Sequence, residues 1–298
     1  MIRRDFIKYT GLTAALGLLS RSLLKSFPIP GAEIYSPETR AEFKRIVRRA
    51  ICEHWEELPI GECMGKIGLS LLGTPYEACT LEGNGPEICR INLKGLDCVT
   101  FFENVLDIAR ILKKDKYGFD DLVEEVTFTR YRGGKITDYT SRLHYTTDWI
   151  YDNVKKGVVD DITQGIGGIE FPVTVGYMSK HPDSYSALKS HPNFIQKIEK
   201  IEAEINLRTY YYIPNDKIKS IEKKLQTGDI IAIATNLAGL DYSHTGMIYK
   251  ERGEARFLHA SSKKKKVVLD VSLHEYVPEV KTNIGVTVVR PLQPVHKL

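Results

Sequence analysis

One cysteine and two histidines, with the short strings around them, are the residues of this chain best placed to do chemistry. Cys98 stands in the string GLDCVTFFENV, residues 95–105. From it an apolar series, Phe101, Phe102, Val105, Ile108, Ala109 and Leu112, continues at helical spacing, which puts the cysteine at a helix start with Asp97 as its N-cap. A helix N-terminus carries roughly half a positive charge and unpaired backbone N–H groups. Such an end favours thiolate over thiol and can hold an oxyanion, the setting a nucleophilic cysteine needs. The same pattern also fits a buried structural cysteine on a core helix. His244, in DYSHTGMIY, opens an apolar strand, and His259, in RFLHASS, lies near the end of the next. Adjacent antiparallel strands bring such residues side by side when they share a face. A cysteine facing that pair would have a base and a group to orient it.

The elements that must position these residues follow from the spacing of apolar and turn residues. Ser36-Pro37-Glu38 reads as a helix start, and Phe43, Ile46, Val47, Ala50, Ile51 and Trp55 fall on one face of an amphipathic helix ending before Pro59. A second helix is expected over 64–72, a short strand over 88–93, the cysteine helix to about Lys113, a short helix over 119–125 and strand character over 126–131. The segment SRLHYTTDWIYDNVKKG mixes rings and charges, which suits either a polar ligand site or a surface helix with a buried aromatic side. A charged helical insertion is expected over about 177–208. The last third turns to short β-branched runs, 229–234, 244–249, 256–260, 267–270 and 285–290, separated by turn residues. Helices first and strands later predict an α+β fold with an antiparallel sheet. Lys263–Lys266 reads as a solvated hairpin tip, with attraction to an anionic polymer as the second reading.

With 298 residues, 42 basic against 38 acidic and a net charge of +4, the chain has the apolar content for a full core, and its charge does not point to nucleic acid. No run of about 20 apolar residues occurs, so no stable membrane span is expected. Residues 1–31 resemble a twin-arginine export signal, with Arg3 and Arg4 ahead of a short apolar run. That predicts a periplasmic or cell-surface location, with 32–298 as a single domain. Cys52, Cys63, Cys79, Cys89 and Cys98 form no C-x-x-C pair, and their odd number leaves at least one thiol free.

LDCVTF, SHTGMI and FLHAS, in that order, resemble the three motifs of the NlpC-type papain-like amidases and peptidases of bacterial cell walls. The strings GTPYEACTLEG, NLKGLDCVTFFENVLDIAR, YRGGKITDYTSRLHYTTDWI and GLDYSHTGMI resemble one branch of it, the N-acetylmuramoyl-L-alanine amidase-like branch. The resemblance implies a papain-like fold, with the nucleophile helix on a C-terminal antiparallel sheet. It implies Cys98 as nucleophile, His244 as general base and His259 as the residue that orients it, without a metal or other cofactor. The bond implied is the amide between N-acetylmuramic acid and L-alanine in peptidoglycan or a muropeptide. Tyr76, Arg142, His144, Tyr145, Trp149, Asp241 and Ser243 are the expected substrate-facing residues, Arg142 for carboxylates and Tyr145 or Trp149 for the sugar. Two alternatives share this fold: a D-glutamyl endopeptidase of the stem peptide and a non-catalytic peptidoglycan-binding module. A zinc amidase using His144, His244 and His259 is a further rival, though no closely spaced histidine pair supports it. Oligomeric state is not legible.

Overall fold

A computed structural model describes residues 35–83 and 85–294; the export-signal reading of 1–31 therefore lies outside the described residues. The first helices are α1 (Pro37–Cys52), α2 (Ile60–Ser70), α3 (Cys98–Leu112), α4 (Phe119–Arg130) and α5 (Thr146–Lys155). Ser36 caps α1 by accepting from the Thr39 amide, with Pro37 in the first turn where its missing N–H costs nothing. The segment after them carries β1 (Val159–Asp161), β2 (Ile169–Glu170), the helices α6 (Tyr177–Lys180), α7 (Ser186–Ser190) and α8 (Asn193–Asn206), then β3 (Tyr211–Pro214) and α9 (Ile218–Ile221). The C-terminal part supplies β4 (Ile230–Thr235), β5 (Tyr242–Glu251), β6 (Glu254–Ser261), β7 (Lys266–Ser272), α10 (Leu273–Tyr276) and β8 (Asn283–Pro291).

The fold is mixed α+β with an antiparallel sheet, in the order β2-β3-β8-β4-β5-β6-β7, and β1 also pairs with β8. Two expectations need correction. Residues 126–131 are not a strand: α4 runs on to Arg130, because Leu122, Val126, Thr129 and Arg130 are buried at helical spacing. Residues 88–93 form no strand either; Cys89, Ile91 and Leu93 are buried from an extended segment.

Strand alternation divides the core in two. Ile230, Ala232, Met247, Leu258 and Ala260 face the layer of α1 to α5, where Phe101 and Phe102 of α3 pack. Ile231, Ile233, Ile248 and Phe257 face the opposite layer, closed by Ile218 and Ile221 of α9 and by Leu273 and Val277. Each side chain of this size, once buried, contributes roughly 1.5–3 kcal/mol. Among the described residues no helix is long and apolar enough to cross a membrane.

Candidate active site

Cys98 is the first residue of α3. Asp97 caps the helix: its Oδ1 accepts from the Val99 and Thr100 amides at 3.1 and 2.7 Å, and Thr100 Oγ1 accepts in return from the Asp97 amide at 3.0 Å. That reciprocal pair fixes where the helix begins. The helix start is also tied to the sheet. Gly73 N–H donates to Val267 O at 3.0 Å, Val267 N–H to Thr74 O at 2.8 Å and Tyr76 N–H to Lys265 O at 2.9 Å, which lays residues 73–76 along β7. Leu96 N–H then donates to Pro75 O at 3.0 Å, two residues ahead of Cys98. Among the described residues no disulfide joins the five cysteines. Cys98 is half-buried, whereas Cys63 and Cys89 are buried; burial pushes the Cys63 thiol up to about 12 and raises those of Cys89 and Cys79.

His244 and His259 project from the same face of β5 and β6, diagonal to each other. His259 lies across from Gly246 when the pairing of Met247 with Leu258 is continued. A Cβ at Gly246 would fall 2.6 Å from the Phe257 ring and 2.7 Å from the His259 Cβ. The glycine therefore leaves the space through which His259 reaches His244, and His244 Nε2 meets His259 Nδ1 at 2.7 Å. Behind His259, Asp270 Oδ2 on β7 lies 3.4 Å from Nε2 and accepts from Lys264 Nζ at 2.7 Å. The sequence reading did not single out Asp270; in VVLDVS it alternates like any strand residue, and only the pairing of β6 with β7 brings it to His259.

The hydrogen-bond chain sets tautomers. The His259 bond, followed by the Lys264 ammonium, holds the Asp270 carboxyl well below the usual carboxylate range, so it is an acceptor and takes the His259 Nε2–H. His259 Nδ1 then accepts from His244 Nε2–H, and the His244 lone pair lies on Nδ1. Burial is the main cause that keeps both imidazoles below the ordinary histidine value, with the neighbouring ring as a further cause at His244. The Tyr276 ring packs against Phe257 and His259, each at 4.9 Å between centroids. Burial, then the charges of Asp270 and Cys98, raise the Tyr276 phenol above its usual range. The thiol is thus within electrostatic reach of the ring that packs on the histidines, although α3 itself lies in the other layer.

Several expected substrate-facing residues lie inside the protein instead, and those expectations are corrected here. Arg142 is 4% exposed and donates to Leu81 O and Glu82 Oε1 at 2.7 and 2.6 Å, clamping the loop ahead of Cys98. Tyr145 donates to Glu202 Oε1 at 2.6 Å and accepts from the Met178 amide, which fastens α5 to α6 and α8. Trp149 packs edge-on against Phe102 in the core. Asp241 is fully buried and accepts from Thr147 N–H and Oγ1 at 2.9 and 3.1 Å, joining the first turn of α5 to the start of β5. His144 is half-buried and bonds Tyr139 O through Nε2. Tyr76 is half-buried beside the helix start, and Ser243 sits next to His244, its hydroxyl on Asn283 Oδ1 at 2.7 Å.

His144, His244 and His259 do not form a group able to share one ion; among the described residues such a group of three is His54, Glu56 and Glu57, away from these motifs. Next to His244 a cavity of about 240 Å³ opens between the turn after β6 and the segment after α10.

Comparison with known proteins agrees with this architecture. None of the curated proteins compared with it matches the chain. Among solved structures, an N-acetylmuramoyl-L-alanine amidase from Bacteroides uniformis is 35% identical with a TM-score of 0.73, the match covering 78% of this chain and 98% of that one. A Bacteroides fragilis protein described as a candidate xylanase is 37% identical with a TM-score of 0.70, over 75% of this chain and 98% of its own. A Legionella pneumophila protein of the DUF1460 family, 24% identical over 88% of this chain and 97% of its own with a TM-score of 0.64, shares the fold. Residues 66–286 match the family described as AmiA-like, N-acetylmuramoyl-L-alanine amidase-like, and the chain belongs to that family.

Proposed function

We propose that this protein is a metal-independent cysteine amidase of the papain-like NlpC type that hydrolyses the amide between N-acetylmuramic acid and L-alanine in peptidoglycan or its fragments. The observation that carries the reading is the chain from Asp270 through His259 to His244, which presents the His244 Nδ1 lone pair as a base. The family and the Bacteroides uniformis neighbour supply the bond. Arg3 and Arg4 extend the reading to a workplace outside the cytoplasm.

In this mechanism His244 Nδ1 takes the proton of the Cys98 thiol, and the sulfur attacks the lactyl carbonyl carbon to give a tetrahedral oxyanion. Asp97 occupies the Val99 and Thr100 amides, so the backbone N–H of Cys98 is the first-turn donor assigned to the oxyanion. Collapse breaks the C–N bond as His244 passes its proton to the departing L-alanine nitrogen. Water then attacks the thioester, His244 takes its proton, and the thiol and a muramic acid carboxylate are released. His259 and Asp270 orient His244 and touch no reacting atom, so losing either costs less than losing Cys98.

The test is mass spectrometry of defined muropeptides incubated with the wild type and with Cys98→Ala. The wild type should give free sugar and an intact stem peptide beginning at L-alanine, and Cys98→Ala should bind without turnover. Cleavage inside the stem would favour the endopeptidase alternative, and equal products from both proteins would end the cysteine mechanism.

A further inference from the structure

The 2.7 Å bond between His244 and His259 fixes their tautomers only while water is kept from it, since water within reach competes for the same nitrogens and favours the charged imidazole. The sheet provides part of that cover. Phe257, two residues before His259 on β6, points to the same face and stacks on its ring at 4.5 Å between centroids and 17° between planes. A second ring comes from outside the sheet. Tyr276, the last residue of α10, stands 4.9 Å from both Phe257 and His259 and 6.2 Å from His244. His244 and Tyr276 line the cavity of about 240 Å³, whereas His259 does not and is fully buried. The Tyr276 ring therefore lies between the cavity and the second imidazole.

A helix of four residues cannot hold a ring in place by itself, so its anchors matter. At the start of α10 the Ser272 amide donates to Glu275 Oε2 at 3.2 Å, and the His274 amide and ring Nδ1 both meet Glu222 Oε1, at 3.1 and 2.9 Å. Leu273 and Val277, on either side of Tyr276 in the chain, are fully buried with Ile218 and Ile221 of α9. Asn283 on β8 supplies the last anchor. Its Nδ2 donates to Val277 O at 3.0 Å, and its Oδ1 accepts from the Ser243 hydroxyl at 2.7 Å. One amide thus joins the residue after Tyr276 to the residue before His244. The Tyr276 hydroxyl makes no hydrogen bond among the described residues, so what this residue brings to the site is its ring.

We propose that Tyr276 is a positioning residue for the base: its ring, held by Asn283 and by the buried residues at both ends of α10, closes the cavity side of the His244–His259 pair and keeps His244 in the one arrangement that offers Nδ1 to the thiol. The inference rests on the amidase reading above and adds to it a residue that touches no reacting atom. Besides the Tyr276 phenol, the charged and titratable groups around the pair are Asp270 of β7, Lys263 and Lys264 of the turn before it, Glu279 across the cavity and Cys98 at the start of α3. The variants below leave all of these in place.

Two readouts test this: the titration of each imidazole followed by NMR without substrate, and the pH dependence of kcat/KM for a defined muropeptide. In the wild type both imidazoles should titrate below the ordinary value of about 6.5, with the acid limb of the rate profile beside them. Tyr276→Ala opens the pair to the cavity. Both imidazoles should then titrate closer to 6.5, the acid limb should move up with them, and kcat/KM at its optimum should fall about tenfold. Tyr276→Phe keeps the ring and should restore all three, while Asn283→Ala, which releases Val277 O, should move the imidazoles part of the way. If Tyr276→Ala titrates as the wild type does, or Tyr276→Phe is impaired as much as Tyr276→Ala, the positioning role is wrong while the amidase reading stands. If Tyr276→Ala does not fold, Asn283→Ala decides, and an unshifted titration there overturns the proposal. If the imidazoles move as expected but the wild type releases no stem peptide, the ring covers the pair and the amidase reading falls.

Discussion

At the scale of single residues, the site depends on which ring nitrogen carries a proton. Asp270 is the end of the chain that decides it, so Asp270→Asn, which offers an amide N–H in place of a pure acceptor, reverses the preferred tautomers of His259 and His244. We expect kcat to fall on the order of 10²-fold with the secondary structure unchanged by circular dichroism. A kcat within twofold of wild type would show that the chain does not set the base. Both imidazoles are held below the ordinary histidine value of about 6.5, so the folded chain binds fewer protons than the unfolded chain just below that pH. Stability should therefore be lost as pH falls from about 6.5 toward the lowered values, and activity as pH falls through the lowered values themselves. A pH–rate profile with its acid limb above 6.5 would contradict this. The helix start at Cys98 and the strand positions of His244 and His259 were legible because an N-cap before an apolar helix and a histidine at a strand start are local patterns. Asp270 was not legible, since its partner is chosen by strand register. Arg142, Tyr145 and Trp149 misled for a related reason: charged and aromatic residues mixed in one segment look the same whether they face a ligand or a buried network.

At the scale of elements, β5 and β6 hold the imidazoles by their registry and by the missing side chain at Gly246. Gly246→Ala places a methyl 2.6–2.7 Å from Phe257 and His259, and either those rings or the strands must shift. Overpacking of this kind costs about 1–3 kcal/mol, and displacing His259 should lower activity by more than that loss of stability alone explains. Urea denaturation alongside kinetics checks both; wild-type activity with unchanged stability would refute the close fit. The helix pair α3 and α4 has a different cost. Asp107 on α3 is fully buried and accepts from Thr129 Oγ1 at 2.9 Å, while burial and the nearby Glu125 and Glu103 raise its carboxyl well above the usual value. A carboxyl raised in the folded state stabilises below its unfolded value of about 3.9 and loses that contribution as pH rises through the folded value. Asp107→Asn keeps the shape without the charge, so the denaturation midpoint at pH 7 should rise and its decline above pH 4 should flatten. A lower midpoint at pH 7 would show that the ionised carboxylate is stabilising. The α4 boundary was misread because Val126, Thr127 and Thr129 favour strands locally, whereas burial along one helical face decided the outcome.

At the scale of the whole molecule, two layers meet at one place. The helical layer contributes a thiol at the start of α3, and the far face of the sheet contributes the histidines, Tyr276 and the cavity. The strip of backbone bonds from residues 73–76 to β7 holds the two together. Order along the chain, helices before strands, was enough to predict α+β architecture. It could not show which face of the sheet carries the histidines, because the side a strand presents depends on pairing. The most direct measurement of the central claim is the alkylation rate of each cysteine by iodoacetamide at pH 6.5, mapped by mass spectrometry while amidase activity is followed, with a chelator-treated sample in parallel. The account predicts that Cys98 is modified first, that activity disappears in step with it, that His244→Ala slows the reaction, and that the chelator has no effect. Activity that survives full modification of Cys98 and is lost to the chelator would contradict it.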